Sequence, residues 1–137
     1  MSGLVIDSSV SAAWVFEDEA SSFTDGILER ILVETAWVPA LWVYECANVL
    51  ITAQRRGRID APRRARLAES MMGLPLVIDR QAVTIAELEW LSDRYSLSAY
   101  DAAYLELAIR RSVPLVTLDR ALVKAARAAN HPVLTSV

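Results

Sequence analysis

The sequence contains little of what several common catalytic sites require. Its 137 residues include one cysteine, Cys46, and one histidine, His131. An internal disulfide, a zinc site and a serine or cysteine triad therefore all lack components. Neither GxGxxG nor GxxxxGK[ST] occurs, which excludes the usual phosphate-binding nucleotide loops. We interpret His131, within the sequence NHP, as a surface turn residue.

Long apolar segments of the kind used for export or membrane anchoring are also lacking. The sequence does not start with a basic leader followed by an apolar core and a cleavage site, so we expect no secretion and a cytoplasmic location. The most apolar stretch, residues 35–53, is interrupted by Pro39, Glu45 and Asn48, and predicts a strand and a buried helix. With 54% hydrophobic residues and only 4 Gly and 5 Pro, residues 1–137 are expected to form one folded domain.

Positive charge is scarce overall but concentrated in one segment. The formal net charge is −3, so the molecule as a whole does not attract nucleic acid. Six of the 14 basic residues nevertheless fall within twelve positions around Gly57 and Pro62. This segment is either a solvated surface or a phosphate-binding patch, in which Arg55, Arg56 and Arg58 would contact RNA. The six are Arg55, Arg56, Arg58, Arg63, Arg64 and Arg66.

Short apolar runs alternate with segments of helical period along the chain. This alternation predicts an α/β fold with three layers, in which helices cover both faces of a parallel sheet. Strands are predicted at residues 3–7, 35–38, 75–78, 115–118 and 132–136. Helices are predicted at residues 9–16, 21–32, 39–56, 61–72, 81–94, 98–111 and 119–129. Pro39 is expected at a helix entrance, Ser98 and Asp101 have capping-box spacing, and Asp79 and Asp119 are possible N-caps.

Three acids stand alone in apolar segments. Asp7 is the only charged residue within 2–16, Glu45 within 35–54, and Asp101 within 95–105. Burying a carboxylate is costly unless hydrogen bonds or a cation compensate. Asp7 and Asp101 could instead cap helices, and Glu45 could make a satisfied buried contact.

Two further acids end apolar strands. LVID occurs at 4–7 and again at 76–79, and LVTLD ends at Asp119. Arg80 and Gln81 follow Asp79, which predicts that Asp79 serves mainly as a helix cap. Asp119, followed by Arg120, is ambiguous. Converging carboxylates without histidine or cysteine suit a hard cation such as Mg²⁺ or Mn²⁺.

Four blocks of the sequence together are similar to a known family. In order along the chain, the blocks are VIDSSV, PALWVYECANVL, LSAYDAAYLELA and LVTLDRAL. They contain, in the same order, the acids Asp7, Glu45, Asp101 and Asp119 discussed above. In order and spacing they resemble the PIN domain family, and within it the VapC-type ribonuclease toxins of toxin–antitoxin pairs. The resemblance spans nearly the whole chain and implies a five-stranded parallel sheet in the order 3-2-1-4-5.

The resemblance also implies a site and partners. Asp7, Glu45, Asp101 and Asp119 would hold Mg²⁺, or Mn²⁺, and catalyse hydrolysis of RNA, while Asp79 matches no family acid. The polar positions Ser9 and Thr117 would lie beside these acids. Asn48, one helical turn from Glu45, would support the site or be a buried amide bonded to backbone. The expected partners are RNA, a small antitoxin protein and a second copy of the chain.

Three other functions are weighed against a toxin. A phosphate-accepting receiver domain would need two adjacent acids after the first strand and a lysine at a late strand end. Here Asp7 stands alone, and the only lysine, Lys124, is predicted inside a helix. A PIN-like nuclease that processes RNA outside a toxin–antitoxin pair remains an alternative, as does a PIN-like module that binds protein without catalysis.

Overall fold

A computed structural model describes residues 3–137 and shows strands alternating with helices. Met1 and Ser2, part of the sequence used to argue against a leader, lie outside the described residues. The strands are β1 (Leu4–Ile6), β2 (Ala36–Pro39), β3 (Leu76–Asp79), β4 (Leu115–Val116) and β5 (Val133–Leu134). The helices are α1 (Ser8–Val15), α2 (Ser22–Arg30), α3 (Leu41–Arg55), α4 (Ala61–Met72), α5 (Ile85–Tyr95), α6 (Ala99–Arg111) and α7 (Arg120–Ala128), with a 3₁₀ turn at Glu17–Glu19.

The five strands form one parallel sheet in the order β3-β2-β1-β4-β5, which confirms the predicted fold. The central strand β1 pairs with β2 on one side and with β4 on the other, where Ile6 lies opposite Val116. Strand β3 lies at the far edge, and Asp79 pairs in register with Pro39. Asp7 and Thr117, which directly follow β1 and β4, are therefore neighbours, whereas Asp79 is two strands away from Asp7.

Successive side chains of β1 point to opposite faces of the sheet and pack into two separate hydrophobic cores. Leu4 and Ile6 pack on the face covered by α1 to α4, together with Trp42 and Met71. Val5 points to the opposite face, which is covered by α5 to α7. Since all three strand residues are fully buried, β1 is an apolar run rather than an alternating one, as expected for the centre of a parallel sheet.

Side-chain caps fix several helix starts. Ser98 precedes α6 and its hydroxyl accepts the Asp101 N–H, which confirms the predicted cap, although only this half of the capping box is formed. Asp119 caps α7 by accepting from the N–H groups of Ala121 and Leu122. Both helices therefore begin at defined residues next to the same edge of the sheet.

Two predicted helix starts are wrong. Pro39 is the last residue of β2, and α3 begins two residues later at Leu41. Helix α5 begins at Ile85 rather than at 81, because Thr84 and Glu87 form a complete capping box there. Asp79 is consequently not a helix cap. None of the helices within residues 3–137 is both long and apolar enough to cross a membrane.

Candidate active site

Asp7 lies at the carboxyl end of the central strand and is only 4% exposed. It occupies the N-cap position of α1, yet its side chain does not cap that helix. Its Oδ2 instead accepts hydrogen bonds from the Ser9 hydroxyl at 2.6 Å and the Thr117 hydroxyl at 2.8 Å. Burial raises the pKa of Asp7, these two hydrogen bonds oppose the rise, and the carboxylates of Glu45 and Asp119 add to it.

The two hydroxyls that bind Asp7 also connect it to the segment after β4. The Ser9 oxygen accepts the N–H of Leu118 at 3.1 Å, and the Thr117 oxygen accepts the N–H of Asp119 at 3.0 Å. This network fixes the start of α1 against the start of α7. Ser9 and Thr117 therefore lie where the sequence placed them, beside the acids.

Glu45 enters the same region from α3. Its Oε1 accepts a 2.6 Å hydrogen bond from the hydroxyl of Tyr104, a fully buried side chain of α6. Burial raises the pKa of Glu45, hydrogen bonds from Tyr104 and Ser8 lower it, and the charge of Asp101 raises it. Tyr104 and Ser8 were not singled out from the sequence. Tyr104 lies three residues after Asp101, so the helical repeat placed it on the face of that acid.

Asp101 and Asp119 complete the group of acids. Burial raises the pKa of Asp101, and the charges of Asp119 and Asp7 raise it further. Each of Asp7, Glu45 and Asp101 has its pKa raised by the charge of at least one other acid of the four. The four acids predicted from the sequence therefore lie within electrostatic reach of one another, and their role as a metal site stays a prediction.

Hydroxyl and backbone donors bind one carboxylate oxygen in three of these acids. Among residues 3–137, these hydrogen bonds reach Oδ2 of Asp7, Oε1 of Glu45 and Oδ1 of Asp119. The Ser98 hydroxyl, which accepts the backbone N–H of Asp101, also lowers the pKa of that carboxyl against the effect of burial. In Asp7 and Asp119, the second carboxylate oxygen has no protein donor within the described residues.

The donor set fits a hard divalent cation. Carboxylate oxygens are the ligands that Mg²⁺ prefers, and Mg²⁺ commonly keeps several waters while binding only one or two carboxylates. Within residues 3–137, however, no group of three or more acidic, histidine or cysteine side chains is arranged to hold a metal ion. The neighbouring Cys46 is buried, and burial raises the pKa of its thiol to about 12, so it supplies no thiolate.

Asp79, the acid of the second LVID, lies outside this group. Its buried carboxylate bonds to two consecutive arginines of α6, with Arg110 at 3.1 Å and Arg111 at 2.8 Å, and accepts the N–H of Gln81. The Arg110 and Arg111 hydrogen bonds hold the pKa of Asp79 down to about 2, against the effect of burial. The prediction that Asp79 caps a helix is wrong because these ion pairs occupy it, but its exclusion from the acidic site is consistent with the structure.

The predicted arginine patch lies away from the acids. Ten residues of α3 separate Glu45 from Arg55, which is about 15 Å along the helix axis. Arg58 is also engaged within the molecule, pairing with Asp18 at 2.6 Å and Glu19 at 2.9 Å. Its guanidinium additionally stacks 4.1 Å from the centre of the Phe16 ring. Arg58 is therefore engaged within the molecule and Arg55 lies at the far end of α3 from Glu45, while contact of Arg55, Arg56 and Arg58 with RNA stays a prediction.

Asn48 and His131 differ from expectation. Asn48 is exposed, so the alternative of a buried amide is wrong, and none of the hydrogen bonds formed within 3–137 involves its side chain. His131 is half-buried rather than a free turn residue, since its Nε2 bonds to the Val113 carbonyl at 2.7 Å. Neither residue contacts the acids through a hydrogen bond in the described part of the chain.

Comparison with known proteins agrees with this geometry. Ribonuclease VapC3 of Pyrobaculum aerophilum is 28% identical to the chain over 123 residues, covering 88% of this chain and 92% of that protein. The crystal structure of PAE2754 from Pyrobaculum aerophilum superposes with a TM-score of 0.71 at 22% identity, covering 90% and 84% of the two chains. A toxin–antitoxin complex from Klebsiella pneumoniae contains a chain with a TM-score of 0.58 at 15% identity, covering 85% and 86%. At these identities the two structures show a shared fold. Residues 4–128 match the family model described as the PIN domain, and the chain belongs to the PIN domain family.

Proposed function

We propose that this protein is a Mg²⁺-dependent endoribonuclease and the toxin of a type II toxin–antitoxin pair. One observation carries the proposal: the buried Asp7 is tied through the hydroxyls of Ser9 and Thr117 to the segment that ends at Asp119. The charges of Glu45, Asp101 and Asp119 act on Asp7 or on one another. Carboxylates desolvated in this way need a cation to remain ionised together. The name of the relative from Pyrobaculum aerophilum, a ribonuclease, supports RNA as the substrate.

Each acid has a distinct role in this proposal. Asp7 and Asp101 would be the principal ligands of Mg²⁺, with Mn²⁺ as a substitute, and Glu45 and Asp119 would complete the charge balance. Bound metal would supply Lewis-acid stabilisation of the scissile phosphate and an acidified water. Glu45 and Asp119 would orient a water molecule beside the phosphate and accept its proton. The hydroxyls of Ser9 and Thr117 orient Asp7 by holding its Oδ2.

The proposed partners are a small antitoxin protein and a second copy of the chain. The toxin–antitoxin complex from Klebsiella pneumoniae, in which a chain shares this fold, supports the antitoxin. The homodimer rests on the family resemblance. A nuclease that processes RNA without an antitoxin remains the second proposal, since the same acidic site would cleave RNA in a toxin and in an RNA-processing enzyme.

Cleavage of RNA by purified protein tests the proposed chemistry. We expect cleavage of single-stranded RNA with Mg²⁺ or Mn²⁺, and none when EDTA removes the metal. The variant Asp101→Asn, purified identically, controls for a contaminating nuclease. Cleavage that persists in EDTA, or equal cleavage by wild type and Asp101→Asn, would contradict the proposal. So would the absence of cleavage on a broad panel of cellular RNA after any copurifying antitoxin is removed.

A further inference from the structure

The C-terminal part of the chain carries only positive side-chain charge. All 17 acidic residues lie at or before Asp119, and residues 120–137 contain three basic residues and no acid, a local charge of +3. The three are Arg120, Lys124 and Arg127, and all are exposed. Their spacing of four and three residues places them on one face of α7. None of them takes part in a salt bridge within the described residues.

These cations border two adjoining grooves. The first, of about 310 Å³, lies between the end of α5, at Arg94 and Tyr95, and the α7 residues Ala121, Lys124 and Ala128. The second, of about 320 Å³, contains Arg120, Lys124 and Arg127 and is closed by Val137. Lys124 lines both grooves, which therefore adjoin, and we call the two together the α7 groove. The small side chains of Ala121 and Ala128 leave space for a backbone to approach.

The α7 groove begins beside the acidic site. Asp119 is the N-cap of α7, so Arg120 is the first helical residue after a site acid. The other wall of the groove contains Arg94 and Tyr95, at the end of α5. The chain turns directly after them to Ser98, whose hydroxyl accepts the N–H of Asp101. The groove thus leads away from two of the four acids. From Arg120 to Arg127 it extends about 10 Å along the helix, enough for a few nucleotides.

We propose that the α7 groove binds the phosphodiester backbone of single-stranded RNA and leads it to the acidic site. This inference rests on the proposed function. A polyanionic substrate is repelled by a molecule of net charge −3 and by four clustered carboxylates, so binding requires cations near the site. Arg94, Arg120, Lys124 and Arg127 neutralise phosphates. The half-buried ring of Tyr95 lines the groove beside the Arg94 guanidinium, which lies 6.0 Å from the ring centre.

Direct measurement of RNA binding tests the α7 groove. All proteins carry Asp101→Asn to prevent cleavage, and binding of a fluorescein-labelled single-stranded oligoribonucleotide is followed by anisotropy from 50 to about 200 mM NaCl without divalent metal. The test variant is Lys124→Gln/Arg127→Gln. The matched control, Arg63→Gln/Arg64→Gln, removes the same charge from exposed or half-exposed positions on α4. Melting curves establish that all variants are folded.

The two variants should differ clearly. Loss of two phosphate contacts should lower the magnitude of the slope of log K against log salt by about 1.4, and weaken binding about tenfold at the lower salt concentrations. The α4 control should retain the wild-type slope. With cleavage-competent protein, the α7 variant should raise KM and leave kcat within about twofold.

An unchanged slope in the α7 variant, or an equal loss in the α4 control, would overturn the assignment. Loss of affinity for a poly-glutamate peptide without loss for RNA would also overturn it, because the groove would then bind protein. The outcome is separable from the proposed function. If wild type cleaves RNA but the α7 variant binds RNA as wild type does, only the proposed role of the α7 groove is contradicted. If the α7 variant loses RNA binding but wild type shows no metal-dependent cleavage, only the proposed nuclease activity is contradicted.

Discussion

The hydroxyl of Tyr104 donates a 2.6 Å hydrogen bond to Oε1 of Glu45, joining α6 to α3 across 59 residues of sequence. The phenol is fully buried, and its pKa is raised by burial and by the Glu45 carboxylate, so it stays a donor. This bond restricts the orientation of the Glu45 carboxylate, on which the charge of Asp101 also acts. Tyr104 is therefore a positioning residue for Glu45.

Replacing Tyr104 with Phe should lower kcat for RNA cleavage about tenfold, since Glu45 loses its orientation while its charge remains. The ring still fills the core, so the free energy of unfolding should fall by no more than about 1.5 kcal/mol. Steady-state kinetics and urea denaturation measure the two effects. Tyr100→Phe is the matched control, because that hydroxyl is on a 65% exposed residue. Equal kinetics in both variants would remove Tyr104 from the site.

Asp79→Asn should destabilise the fold without impairing the chemistry. The substitution leaves Arg111 facing a neutral amide and leaves Arg110 with only its ion pair to Glu106. Breaking a largely buried pair costs about 2 kcal/mol or more. Urea denaturation measures the loss. Asp60→Asn is the control: Asp60 is exposed and caps α4, and asparagine caps a helix equally well, so this variant should be nearly silent. If both variants were silent, the ion pairs of Asp79 would contribute nothing.

The depressed pKa of Asp79 predicts a specific loss of stability in acid. Its pKa falls from the ordinary 3.8 to about 2 on folding, so the unfolded chain binds the proton more tightly. The stabilisation, about 2 kcal/mol, is complete above the unfolded value and is lost as pH falls from about 4 to 2. Wild type should therefore lose more stability than Asp79→Asn over this interval. Parallel pH profiles for the two proteins would contradict the ion-pair account.

The raised pKa of Asp101 predicts the opposite pH dependence of the folding stability when no metal is bound. Its pKa is raised in the fold, so the ionised form is disfavoured and stability falls as pH rises from the ordinary 3.8 through the raised value. Asp101→Asn should then melt higher than wild type at pH 7 and about equally at pH 3.5. Mg²⁺ should raise the melting temperature of wild type more than that of the variant. A variant that melts lower than wild type at pH 7 would favour a structural role for Asp101.

Much of this structure could be predicted because it depends on local pattern. Apolar runs gave the strand positions, and lone acids in apolar segments pointed to the site. The start of α5 has its own signal in the sequence, the capping-box spacing of Thr84 and Glu87, and this cap prevails over the one predicted at Asp79. Local sequence predicts a cap at Asp79 because it does not reveal ion pairs with Arg110 and Arg111, which are 31 and 32 residues away.

Contacts between distant segments account for the rest. The bond from Tyr104 to Glu45, and the pairing of Arg58 with Asp18 and Glu19, depend on how helices pack and not on any spacing in the sequence. The arginine patch was a reasonable candidate by charge count alone. Its distance from the acids follows from the direction of α3, which starts at the carboxyl edge of the sheet and runs away from it.

The most direct test compares the two aspartates of the repeated LVID in a single cleavage assay. Asp7→Asn and Asp79→Asn, each shown to be folded at the assay temperature, are incubated with the same single-stranded RNA and saturating Mg²⁺. Loss of a principal metal ligand should reduce cleavage by Asp7→Asn about a thousandfold, while Asp79→Asn should stay within about threefold of wild type. Retained cleavage in Asp7→Asn, or an equal loss in folded Asp79→Asn, would contradict the assignment of the acidic site.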